Sequence, residues 1–105
     1  MKAHEHLIAA MIRQGYLLSV WVDDDCLVDS SNDRLLVTAE CMAAECCQLW
    51  VINPVDGRRI GSALILPYGV DDDETVADWS TPADGSQTGV IDRWFDAYST
   101  RGELS

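Results

Sequence analysis

The stretch Gln48–Ser80, QLWVINPVDGRRIGSALILPYGVDDDETVADWS, decides the fold. Leu49–Ile52 and Ile60–Leu66 are apolar runs, separated by Asn53-Pro54-Val55-Asp56-Gly57. Proline presets φ in such a loop, and Asp-Gly tolerates the positive φ that a tight reversal needs, so the two runs read as a hairpin. Arg58 and Arg59 open its return strand. Gly61, Ser62 and Ala63 are small enough to admit a helix close to the sheet or to mark a bulge. Pro67 ends regular pairing. An acidic loop follows through Asp71, Asp72, Asp73 and Glu74, and Thr75–Trp79 reads as a fifth strand at a sheet edge.

Working outward toward the N-terminus, Asp33 to about Cys47 has helical spacing, with Ser30, Ser31 and Asn32 as candidate caps. Leu35, Leu36, Ala39, Met42, Ala43, Cys46 and Cys47 would form its apolar face, leaving Arg34, Glu40, Cys41 and Glu45 outside it. Before it, Tyr16–Val22 is a strand with Leu18, Val20 and Val22 on one face and Leu17, Ser19 and Trp21 on the other. The run Asp23-Asp24-Asp25 makes a turn, and Cys26–Val28 returns as a short second strand. Residues 3–14 form an amphipathic helix through Leu7, Ile8, Met11 and Ile12, stopped at Gly15. On the other side, Thr81–Gln87 is linker-like. A last helix over about Thr88–Thr100 buries Val90, Ile91, Trp94, Phe95 and Tyr98. The polar ends, Met1–Ala3 and Gly102–Ser105, are expected to fray. The chain of 105 residues is then one α+β domain. It has a mainly antiparallel five-stranded sheet and three helices in the order α-β-β-α-β-β-β-α. The helices lie on one face or are split across both.

Charge is the strongest global property. Eighteen acidic residues against seven basic ones give −11. Residues 1–22 are net +1, so everything from Asp23 onward carries −12. Such a field repels a phosphate backbone and an anionic membrane surface, which argues against direct nucleic-acid or membrane binding. It attracts a basic protein surface, and it also serves simple solubility. No segment reads as a targeting signal or a membrane span. The thiols Cys26, Cys41, Cys46 and Cys47 do not resemble a secreted disulfide framework, and a cytoplasmic protein with free thiols is expected.

Candidate chemistry is sparse. The acidic runs Asp23–Asp25 and Asp71–Glu74 offer oxygen ligands but lack calcium-loop spacing. The cysteines lack a zinc knuckle. His4 and His6 share no helix face and lie in a terminus expected to be mobile, with nothing to bring either to a thiol. Asp78, beside Trp79 and near Asp71–Glu74, is thin support for a paired-carboxylate site. No catalytic residue, metal site or cofactor is assigned. The tryptophans carry more. If the helices share one face of the sheet, Trp21, Trp50 and Trp79 could form an aromatic patch on the other, of the kind that anchors protein partners. If helices cover both faces, every tryptophan is core.

The segments Asp56-Gly57-x-x-Ile60-Gly61, Ala63-Leu64-Ile65-Leu66-Pro67-x-Gly69 and Asp73-Glu74-x-Val76-Ala77-Asp78-Trp79 resemble a pattern of small acidic phage and prophage proteins, with Ser62 where that pattern has an aromatic residue. The resemblance implies a phage accessory role. Small acidic phage proteins are often inhibitors that cover a nucleic-acid-binding surface of a host enzyme or defence complex, and anti-CRISPR proteins are similar in size and charge. The leading expectation is a non-catalytic, acidic protein-binding module using Asp23, Asp24, Asp25, Asp71–Glu74, Asp78, Trp21, Trp50 and Trp79 against a basic partner. The alternatives are a self-associating homodimer and a small metal-dependent enzyme.

Overall fold

The reversal at Asn53–Gly57 forms as its residues dictate. Gly57 takes φ 73°. Asn53 N–H donates to the Arg58 carbonyl, and Gly57 N–H donates to the Asn53 carbonyl, at 2.8 Å each. The Asn53 and Asp56 side chains accept from Val55 N–H and Arg58 N–H and close the loop locally. The computed structural model describes residues 2–68, 75–80 and 89–104, and of residues 78–80 and 99–104 the backbone alone.

Its elements are α1 (Ala3–Arg13), β1 (Leu17–Val22), β2 (Asp25–Ser31), α2 (Arg34–Met42), β3 (Cys47–Ile52), β4 (Arg59–Ile65), β5 (Val76–Ser80) and α3 (Val90–Leu104). The expected α+β order is the observed one. The strands form one sheet in the order β2-β1-β3-β4-β5, antiparallel throughout. β5 lies at an edge, as its sequence suggested, and β2 lies at the other.

All three helices cover the same face. Leu7, Ile8 and Met11 of α1, Val37 and Cys41 of α2, and Val90, Ile91 and Trp94 of α3 share one buried cluster with Leu18, Val20, Val28, Leu49, Val51, Ala63, Ile65 and Val76 of the strands. Each fully buried Leu or Ile contributes about 1.5–3 kcal/mol by leaving water. α1 ends in a Schellman turn: Gly15 adopts φ 95°, its N–H donates to the Ile12 carbonyl, and Tyr16 N–H donates to the Met11 carbonyl. Gly61 is where α3 meets the sheet. A Cβ there would lie 3.3 Å from Ile91 Cδ1 and 3.5 Å from Val90 Cγ2. The small residues of β4 thus admit a helix, as expected.

Four sequence expectations need correction. First, α2 stops at Met42, so Cys46 lies in the following loop and Cys47 opens β3. Second, its cap is Asp33, whose carboxylate accepts from Leu35 and Leu36 N–H at 3.1 and 3.2 Å, while Ser30 and Ser31 belong to a longer β2. Third, the buried pair of α2 is Val37 and Cys41, one turn apart, and Leu35 is 73% exposed. A nine-residue helix needs only one such pair to seat it, so the longer apolar stripe was spurious. Fourth, the N-terminus is tied down. Ala3 and His4 are buried, His4 N–H donates to Thr75 Oγ1 at 2.9 Å, and Lys2 Nζ reaches the Pro67 carbonyl. The four cysteines are unbridged. Cys41 and Cys47 interact inside the core: that interaction, with burial, holds the Cys41 proton on, and the same interaction lowers Cys47.

His4 has no side-chain exposure, and neither ring nitrogen has a partner among the described residues. Burial pushes its pKa below the usual 6.5; nearby Glu5 opposes this and Lys2 adds to it. A histidine held neutral in the fold contributes stability that is complete above the unfolded value and is lost as pH falls through 6.5 toward the folded value. Urea unfolding should therefore lose at most about 0.7 kcal/mol per pH unit to this one residue at pH 6.5, where the unfolded ring is half protonated, and at most about 1.4 further below it. His4→Leu should flatten that slope, and the exposed-residue control His6→Gln should keep it. A second variant tests the α3 contact. Gly61→Val should destabilise by about 1–3 kcal/mol through overpacking against Val90 and Ile91, read as a lower Tm.

Candidate protein-binding face

The face of the sheet away from the helices is built from alternate residues. Register places Leu17 opposite Ile52, Ser19 opposite Trp50, and Trp21 opposite Gln48 across β1 and β3. It continues to β4 with Trp50 opposite Ser62 and Gln48 opposite Leu64. Trp50 is thus flanked in its row by two serines, which leave room for an indole to lie down. Ser19 is only 2% exposed, and its hydroxyl accepts from Ser30 N–H at 2.9 Å. Ser30 is at φ 50°, so that bond also holds an unusual backbone turn in β2.

Trp21 sits diagonally from Trp50, within reach of a large ring. Their ring centroids are 4.8 Å apart at 31°. The Arg59 guanidinium lies 4.7 Å from the Trp50 centroid. A bulge between Val51 and Ile52 pairs Ile52 with Arg59, on the same face as Trp50. Trp50 Nε1–H donates to Gln48 Oε1 at 3.4 Å, whereas Trp21 Nε1–H is buried with no acceptor among the described residues.

Beyond Trp21 the face opens into a hollow of about 480 Å³ whose walls include Trp21, Asp23, Glu45, Cys46, Gln48 and Leu64. Asp23 and Asp24 form the β1–β2 turn, with Asp23 at φ 53°, a conformation that aspartate accepts readily. Asp25 is not part of that turn: it opens β2 opposite Val22. The face therefore runs from an arginine end at Arg59, through two indoles, to a carboxylate end at Asp23 and Glu45.

Of the residues singled out in the sequence, Trp21 and Trp50 come together on this face, with Asp23 at its edge. Backbone register sets Asp78 opposite Leu64, in the row of Trp21 and Gln48, and Trp79 opposite Ala63, in the helix-facing row. The side chains of Asp78 and Trp79, and all of Asp71, Asp72, Asp73 and Glu74, lie outside the described residues. Arg59 and Glu45 were missed. Arg59 reaches the face through a bulge that alternation cannot forecast, and Glu45 through the early end of α2. Among the described residues no three His, Cys, Asp or Glu side chains gather, and no described helix is long and apolar enough to cross a membrane. No protein-family model, curated protein or solved structure matches the chain.

The Arg59–Trp50 contact should be measurable. A double-mutant cycle with Arg59→Gln and Trp50→Leu, read by urea unfolding, should return a coupling of about 0.5–1 kcal/mol, the range for an exposed cation–π pair.

Proposed function

We propose that this chain is a non-catalytic protein-binding module that docks a basic protein surface with the bare face of its sheet. The observation that carries the reading is the Trp21–Trp50 pair, in contact on the side of the sheet away from all three helices. Indoles there cost apolar exposure and add nothing to the helix-side core, and tryptophan is prominent among residues that dominate binding energy at interfaces. The second support is charge. The net −11 draws in a cationic partner, and Asp23 and Glu45 stand where its Lys or Arg would arrive beside Trp21. Apolar anchoring holds the complex while charge sets its approach. With the resemblance to phage accessory proteins, the setting is inhibition: this chain covers a surface of a host complex that otherwise holds nucleic acid.

A second reading has one observation in its favour. Arg59 and the Asp23–Glu45 hollow lie at opposite ends of the face, so a two-fold axis across the strands would bring opposite charges together in a homodimer. Against it, the Arg59 guanidinium is already engaged on Trp50, and two copies at −11 repel. Sedimentation showing a monomer at high concentration removes this reading.

The main reading is tested with a short arginine-rich peptide and tryptophan fluorescence. Affinity should fall about tenfold or more between roughly 50 and 500 mM salt as screening tightens. Trp50→Leu should weaken binding about tenfold beyond that, and Val55→Ala, in the exposed β3–β4 loop, should leave it unchanged. Peptide binding that Trp50→Leu leaves intact overturns the proposal.

A further inference from the structure

On the helix side, away from the bare face, the groove between α1 and α3 has the opposite chemistry. It encloses about 210 Å³ and is lined by His6, Arg13, Gln14, Arg93, Trp94 and Tyr98 over three alanines. Each of those six side chains carries a hydrogen-bond donor. Among the described residues no carboxylate lines the groove, in a chain with eighteen acidic residues and seven basic ones. Glu5, next to His6, is turned away and accepts Lys2 N–H at 3.1 Å. Asp92 and Asp96, on either side of Arg93 along α3, do not line it either.

Helix stability accounts for only one of the two arginines. Arg13 is in the last turn of α1, where a cation complements the macrodipole. Arg93 is in the N-terminal turn of α3, its N–H donating to the Gly89 carbonyl, and a cation there opposes the macrodipole. Two guanidinium groups facing one groove from different helices also repel each other unless an anion lies between them. The aromatic wall is firm: Trp94 and Tyr98 stack with centroids 5.1 Å apart, and His6 lies 5.4 Å from Tyr98.

We propose that this groove binds a small phosphate-bearing ligand. A single carboxylate is satisfied by one arginine fork, whereas two guanidinium groups, an imidazole and an amide suit a group with more oxygens and more charge. The volume lies below the roughly 300–1,000 Å³ of drug-sized pockets, so the groove encloses the phosphate group, and any further part of the ligand rests at its rim. The net charge of −11 works against every anion, which puts the affinity in the millimolar class.

The test uses inorganic phosphate and phenyl phosphate against sodium chloride at matched ionic strength, on the full chain. At ten times the Kd, phosphate should raise Tm by about 6 °C over chloride. The His6 ring resonances should shift along the same saturation curve. Arg13→Gln with Arg93→Gln, both exposed positions, should abolish both effects while the variant melts cooperatively in chloride. Phenyl phosphate binding more than about threefold tighter than phosphate identifies an aromatic monoester stacking on the Trp94–Tyr98 wall; equal affinities identify the phosphate group alone as the ligand. Stabilisation that persists in the double variant is a general salt effect and overturns the proposal, as does the absence of any shift at His6.

Discussion

The contact of Ile91 with Gly61 sets where the last helix lies. Without a side chain at Gly61, α3 comes down onto β4 beside α1, and Tyr98 meets His6 across the gap. α1 packs in turn against α2, which covers β1 and β2. The three helices thus stand side by side over one face, and the described chain has no fourth element for the other. The bare face is therefore a product of packing on the opposite side. A bulkier residue at position 61 would disturb it indirectly, by moving the helix layer that braces the sheet.

Two surfaces of opposite sign result. On the sheet side, indoles grade into carboxylates; on the helix side, a donor-lined groove gathers two of the seven basic residues the chain has. Net charge alone describes neither. A figure of −11 says how the molecule looks from a Debye length away, about 10 Å at 0.1 M salt. At contact distance the local sets of side chains decide what each surface accepts.

Much of the architecture was legible in the sequence because the strands alternate cleanly. Leu18 and Val20 against Ser19 and Trp21 read directly as two faces, and Asp56-Gly57 reads as a reversal. The pairing of Trp21 with Trp50 needed only the further fact that all helices share one side, which no local pattern contains. α2 was misread because Leu35, Leu36, Ala39 and Met42 imitate a stripe, whereas the tertiary fold seats the helix on Val37 and Cys41. His4 was misread for a related reason. Its backbone N–H is bonded to Thr75, seventy-one positions away, and such a long-range contact leaves no trace in the spacing of neighbours.

The outer strand β2 has a consequence for how the molecule meets others. Its pairing with β1 shifts register twice within a few residues, and Asp25, Asp29 and Ser30 stand exposed along it. An irregular, negatively charged border is a poor template for another chain's backbone, since a regular ladder cannot be continued from it. A protein that shows two tryptophans on a broad sheet would otherwise invite stacking into fibres from that border. At this border the invitation is limited to side chains presented broadside, which favours a closed contact over a ladder continued from β2.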